Sequence, residues 1–146
     1  MIEDFVYEWT KRAGQEETGS LFQFVCYYIA FNHLYSGYIY NDGRNLSELT
    51  SMKEYIKEVV NSRKFNPYEK LSSESELLKG VYSEKLNKVT SEIKLQNRNI
   101  EELFTSIYYV RCNLFHGSKS MHSERNKKLV LDSCKVLSSL FDVLND

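Results

Sequence analysis

Apolar residues recur along this chain at intervals of three and four, the period of a helix face, and rarely at the alternation that marks a strand. Phe5, Val6 and Trp9 predict a short first helix ending near Gly14. Thr18 and Ser20 are possible caps for a second helix, which runs through Leu21, Phe24, Val25, Tyr28, Ile29, Phe31, Leu34 and Tyr35. That segment is apolar nearly all round, which predicts burial by several neighbours. Asn41-Asp42-Gly43 is the turn signal that ends it. A third helix is predicted from Ser47, an N-cap residue, with Leu49, Met52, Ile56, Val59 and Val60 at helical spacing and a break at Asn66-Pro67.

Residues 70–95 are more polar, and a shorter helix with a loop or irregular insertion is expected there. Periodicity returns with Ile100, Leu103, Phe104, Ile107, Tyr108, Leu114 and Phe115. Asn97 or Asn99 can cap this helix, Glu101 and Glu102 suit the positive end of its dipole, and Gly117 fits a C-terminal stop. A last helix is predicted from about Ser123, with Leu129, Val130, Val136, Leu137, Leu140, Phe141 and Leu144 on one face. Helices with short connections pack as antiparallel neighbours. The expected fold is therefore all-α, an antiparallel bundle of about five or six helices forming a single domain over residues 1–146.

Composition sharpens this picture in a few places. With 42% hydrophobic and 27% charged residues the balance is globular, and 146 residues are enough for a core. A net charge of −1 offers no global attraction for nucleic acid or anionic membranes, so any such attraction must be local. Cys26, Cys112 and Cys134 are far apart and form no CxxC pair, which predicts reduced, partly buried thiols. The opening Met1-Ile2-Glu3-Asp4 is acidic where a secretory signal would be basic. The longest apolar tract, 22–34, is interrupted by Gln23, Asn32 and His33 and is too short to span a bilayer. A soluble, cytoplasmic protein with no membrane association is expected.

Candidate chemistry concentrates in Val110-Arg111-Cys112-Asn113-Leu114-Phe115-His116-Gly117, where an arginine, an asparagine and a histidine fall within six residues of a helix end. A guanidinium in so apolar a helix needs a carboxylate partner or a lined cleft. His116 lies about 140° around the helix from Arg111, so the two do not share a face. They can still line one cleft if the helix loosens at Gly117, or if two copies of the helix meet across a dimer axis. The helix dipole favours a protonated histidine at this end, which suits proton transfer near neutral pH. On spacing alone, an arginine paired with an acidic neighbour and a capping histidine fit at least as well as a phosphate site.

Nearby residues extend the candidate set. Arg111, Lys119, Arg125, Lys127 and Lys128 face only Glu124 in that stretch, with His116 and His122 in addition. Such a segment can grip RNA phosphates, or it can be an ordinary solvated helix start. His33 is expected chiefly as a satisfied core or interface histidine, with a cleft position as the lesser reading. The eleven tyrosines and eight phenylalanines mostly fall at core spacing. The exposed members of Tyr27-Tyr28 and Tyr108-Tyr109 are candidates for a dimer surface.

The stretch from Tyr109 to Gly117 resembles the R-x4-6-H motif of HEPN domains, set in a similar apolar frame with Leu-Phe-His-Gly at the helix end. Tyr28-Ile29-Ala30-Phe31-Asn32-His33-Leu34-Tyr35 also looks like the aromatic segment on an early helix of bacterial HEPN proteins. The resemblance implies a HEPN-like helical domain and a metal-independent endoribonuclease, usually a dimer whose paired motifs form one cleft. By that resemblance His116 is the general acid or base at the ribose 2′-OH or the leaving oxygen, and Arg111 stabilises charge on the scissile phosphate. Asn113, Lys119, His122 and Arg125 are then substrate-binding candidates. No cofactor and no metal site are expected. A toxin or defence role follows as an expectation, with RNA, a second copy and a nucleotidyltransferase-like antitoxin as partners. One position departs: many active members carry a polar residue directly after the arginine, where this chain has Cys112. That departure favours the rival readings. One is a non-catalytic HEPN-fold module that binds RNA, a nucleotide or a protein. The other is a helical dimerisation protein in which Arg111 and His116 only tie helices together.

Overall fold

A computed structural model describes residues 3–42, 46–78, 100–115 and 121–145, with side chains 38–42 left undescribed. Among these residues every regular element is helical: α1 (Asp4–Gln15), α2 (Leu21–Asp42), α3 (Glu48–Ser62), a 3-10 turn (Pro67–Lys70), α4 (Ile100–Phe115) and α5 (Glu124–Leu144). The expected all-α bundle is what forms. α2 is the central member: it packs against α1, α3 and α5, while α4 lies mainly on α3 and only lightly on α5.

Capping chemistry explains several boundaries. Ser47 accepts from the backbone N–H of Thr50 and starts α3. Ser123 does the same for Asn126 and starts α5. At α2 the Ser20 hydroxyl accepts from the Gln23 N–H at 3.1 Å. The Gln23 side chain then reaches back, accepting from Gly19 N–H at 2.8 Å and donating to Ala13 O at 3.1 Å. A residue that reads as a polar interruption in an apolar tract is thus a buried clasp between the end of α1 and the start of α2.

The end of α3 needs correction. α3 ends at Ser62, before Asn66-Pro67. The proline instead opens the 3-10 turn, capped by Asn66 Oδ1 accepting from Tyr68 N–H at 3.2 Å. Within 70–95, residues 71–78 form bends and turns, the irregular part of what was expected there, and Ser75 pins them to α5 by donating to Asp132 Oδ2 at 2.6 Å. The remainder of that expected insertion lies outside the described residues, as do Asn97, Asn99 and Gly117.

The core is a single cluster in which Phe24, Phe31, Tyr35, Met52, Ile56, Phe104, Ile107, Leu137 and Leu140 are fully buried. Phe31 is its aromatic centre, with Tyr35 at 5.0 Å, Phe104 at 5.3 Å and Tyr28 at 5.5 Å between ring centroids. α2 is nevertheless not covered all round. Phe22 is 70% exposed, and Val25 and Ile29 are half-buried along the same stripe. Tyr27 and Tyr28 both pack inward, in keeping with their core spacing, so that pair offers no exposed member for a dimer surface; Tyr27 stacks on Phe141 at 5.8 Å. Cys26 and Cys134 are buried free thiols and Cys112 is a half-buried one. Burial pushes the Cys134 thiol up to about 12, so it stays protonated at neutral pH. No helix among the described residues is long and apolar enough to cross a membrane.

Gly19 has φ +76°, a left-handed conformation that ordinary residues adopt at a cost. A Cβ there would come within 2.5 Å of Leu131 Cδ1. Gly19→Ala is expected to lower unfolding free energy by about 1–2 kcal/mol, measured by urea denaturation, because the backbone strain remains even after Leu131 moves aside.

Candidate functional site

α2 presents Tyr28, Asn32, Tyr35 and Ser36 at i, i+4, i+7 and i+8, so these polar groups fall on neighbouring parts of one helix surface. α3 begins beside them, and its first residue, Glu48, extends a carboxylate to that surface. α4 brings Arg111 to the same place from the far side of the chain. Glu48 Oε1 is where the three helices meet: it accepts from Tyr35 OH at 2.6 Å, Asn32 Nδ2 at 3.1 Å and Arg111 Nη1 at 3.1 Å.

Proton bookkeeping settles the direction of the remaining bonds. Tyr35 has one hydroxyl proton and gives it to Glu48, so the 3.1 Å contact with Tyr28 has Tyr28 donating. Tyr35 Oη also accepts from Asn32 Nδ2 at 2.8 Å. Asn32 Oδ1 accepts from Ser36 at 3.5 Å, which holds the amide with its nitrogen toward Tyr35 and Glu48. Every link in this chain runs toward one carboxylate oxygen.

The Arg111 guanidinium lies between rings, 5.3 Å from the centroid of Tyr28, 5.5 Å from Phe115 and 6.0 Å from Tyr108. Burial is the largest influence and works against its charge, but the Glu48 carboxylate, with Tyr28, Tyr35 and Cys112 behind it, outweighs that and holds its pKa above the ordinary arginine value. Its Nε is buried and has no hydrogen-bond acceptor among the described residues. Burial, followed by the neighbouring Tyr35, raises the Tyr28 phenol well above its usual value. Burial and then the bond to Glu48 raise that of Tyr35. Burial and then the neighbouring Cys112 push Tyr108 up to about 12.

Arg111 forms part of the wall of a cleft of about 270 Å³, together with Phe5, Val25, Tyr28, Ile29, Asn32, His33, Ser36 and Phe115. His33 stands on its rim. The ring packs on Phe5 with centroids 4.4 Å apart, and Nε2 meets Glu3 Oε2 at 2.9 Å. It is satisfied, as the sequence suggested, but at the mouth of a cleft rather than in the core. Phe5 and Phe115 remain 45% and 54% exposed, so the entrance has apolar sides and a polar floor.

The candidate residues read from sequence therefore separate. Arg111 is in the cleft. Asn113 is half-buried in the last turn of α4, and His122 and Arg125 are exposed near the start of α5; none of the three lines it. Arg125 faces Glu76 at 3.9 Å and Lys127 faces Glu124 at 3.3 Å, so part of the basic run is balanced locally. His116 and Lys119 lie outside the described residues; His116 directly follows Phe115, which borders the cleft. Among the described residues no group of three or more His, Cys, Asp or Glu is placed to hold a metal ion. Glu48 and Tyr35 were missed as site residues. An acid just after a helix N-cap is common, as at Glu101 and Glu124, so nothing in sequence sets Glu48 apart.

No family model, curated protein or solved structure matches the chain.

Removing the Tyr35 hydroxyl takes the shortest donor from Glu48. Tyr35→Phe is expected to cost about 1–2 kcal/mol in chemical denaturation at neutral pH. The pH dependence has a definite sign. A phenol held above its unfolded value keeps its proton after the unfolded chain has released it, so the folded state binds more protons above about pH 10. Stability contributed by Tyr28 and Tyr35 is complete below that pH and declines as pH rises beyond it. Denaturation curves between about pH 8 and pH 11 should show this decline, with a shallower slope for Tyr35→Phe.

Proposed function

We propose that this protein is a HEPN-type, metal-independent endoribonuclease that binds an RNA phosphate at Arg111 and cleaves it with His116. The observation that carries the reading is the placement of Arg111. It is a charged guanidinium in the wall of a cleft, held at one end by Glu48, with one buried N–H lacking an acceptor among the described residues. A buried donor without an acceptor costs about 1–3 kcal/mol, and a phosphate oxygen reaching the free side of the guanidinium offsets that cost.

The chemistry needs little else. RNA carries its own nucleophile in the 2′-OH. A histidine removes that proton or protonates the leaving 5′ oxygen, and the guanidinium neutralises the negative charge growing on the phosphorane. The products are a 2′,3′-cyclic phosphate, or the 3′-phosphate after hydrolysis, and a 5′-hydroxyl. The cleft at about 270 Å³ is of nucleotide size, and the exposed rings of Phe5 and Phe115 beside it suit stacking against unpaired bases. In this reading two copies pair so that their motifs share one cleft, and a toxin or defence role with a nucleotidyltransferase-like antitoxin follows from the same resemblance.

A second reading has its own support. Glu48 pairs with Arg111 within one chain, and Cys112 follows the arginine where active HEPN members are often polar. These favour a HEPN-fold module that binds RNA, a nucleotide or a protein without cleaving.

Purified protein is expected to cut single-stranded RNA in the presence of EDTA and to leave cyclic or 3′-phosphate ends. Arg111→Ala and His116→Ala should each reduce the rate by at least about 100-fold. Absence of cleavage by wild type, with RNA still bound in a gel-shift assay and released by Arg111→Ala, selects the second reading.

A further inference from the structure

We propose that Glu48 is a positioning residue for Arg111: a fixed carboxylate that holds the guanidinium in the cleft wall and turns its free edge toward an incoming phosphate. The proposal rests on the reading of Arg111 as the phosphate-handling group and adds what makes that arginine competent.

An exposed surface ion pair is two flexible chains meeting in water, and it fixes neither. Glu48 differs because its Oε1 already has two donors from α2, Tyr35 at 2.6 Å and Asn32 at 3.1 Å, before Arg111 is counted. Those donors are held in turn. Tyr35 is fully buried and accepts from Tyr28, while Asn32 is oriented by Ser36. The backbone of Glu48 is fixed by the Ser47 cap, and its charge lies in the first turn of α3, where the helix dipole favours an anion. The carboxylate therefore stays in place whether or not Arg111 is bound to it.

Arg111 has no comparable support of its own. Its other close partners are rings, which attract a cation but do not set its rotation. The bond from Nη1 to Glu48 is the directional contact that does. It uses one nitrogen of the fork and leaves Nε and Nη2 as the edge able to grip two phosphate oxygens together. Nε is buried, and Phe115, 5.5 Å from the guanidinium, is the most exposed of the three rings around it. Glu48 also brings a negative charge close to the phosphate site, so it costs binding while it improves alignment. Those opposed effects distinguish a positioning role from a structural one.

The test uses the full chain labelled with ¹⁵N, and Glu48→Gln, whose amide oxygen still accepts from Tyr35 and Asn32 and so preserves the fold, but which offers Arg111 a neutral acceptor in place of the charge-assisted bond that fixes its rotation. In wild type the Arg111 Nε–H resonance, assigned by its loss in Arg111→Lys, should be sharp and protected from exchange. In Glu48→Gln it should broaden and exchange like that of an exposed arginine, while the backbone amide spectrum stays native. An unchanged Arg111 resonance in Glu48→Gln overturns the proposal, whatever the protein does to RNA. On RNA that wild type cleaves, Glu48→Gln should lower kcat by about tenfold or more, against the roughly 100-fold that an ångström of misplacement carries. KM should stay the same or fall, and Glu48→Asp should restore part of the rate. A loss confined to KM contradicts a positioning role. If wild type cleaves nothing, the nuclease reading fails, and the resonance still decides whether Glu48 orients Arg111.

Discussion

One carboxylate oxygen, Glu48 Oε1, sits at the meeting point of three helices and receives donors from two of them. An arginine on an apolar helix is otherwise a liability, since withdrawing a guanidinium from water is repaid only by a well-placed partner. The fold supplies that partner from a residue 63 positions away in sequence, and it gives the partner further support from α2. Packing of α3 and α4 against each other is thereby coupled to the hydrogen bonding of α2. The cleft inherits its shape from that coupling. Asn32 and Arg111, two of the three donors to Glu48, line it, beside apolar residues of α1, α2 and α4.

α2 shows how one helix serves two purposes. Phe24, Phe31 and Tyr35 fill the core, and Tyr28 and Tyr35 then use their hydroxyls to carry polarity inward to Glu48. Phe22, Val25 and Ile29 run along another side, where Phe22 is exposed and Val25 and Ile29 border the cleft. Periodicity treats these two sides alike because both are apolar, whereas packing and cleft formation separate them. The polar residues within the tract, Gln23 and Asn32, proved the more instructive. Gln23 clasps the α1–α2 corner, and Asn32 belongs to the Glu48 network.

The helices were legible because apolar residues recur at three- and four-residue spacing, and α2, α3 and α5 also start at a hydroxyl cap, Ser20, Ser47 and Ser123. The requirement that Arg111 find a carboxylate or a cleft was legible too, since it follows from desolvation alone, and the protein meets it with both. The identity of the carboxylate was not. Glu48 looks like any acid at a helix start, and only the three-dimensional approach of α3 to α2 and α4 distinguishes it. Core spacing pointed Tyr27 and Tyr28 toward packing, and both are drawn inward, but their partners, one α5 and the other Arg111, are set only in three dimensions. Helical end-points shifted where a proline marked the next element rather than the end of the last, as at Pro67.

The single tryptophan of the chain, Trp9, is partly buried on α1 with its ring 6.3 Å from that of Phe5. Phe5 in turn packs on His33 at the cleft mouth, and the other end of α1 is held by Gln23. Indole emission responds to the polarity and ring contacts of its immediate surroundings. The chain therefore carries its own optical probe of the entrance, one whose signal follows the seating of α1 beside the cleft without any label being attached.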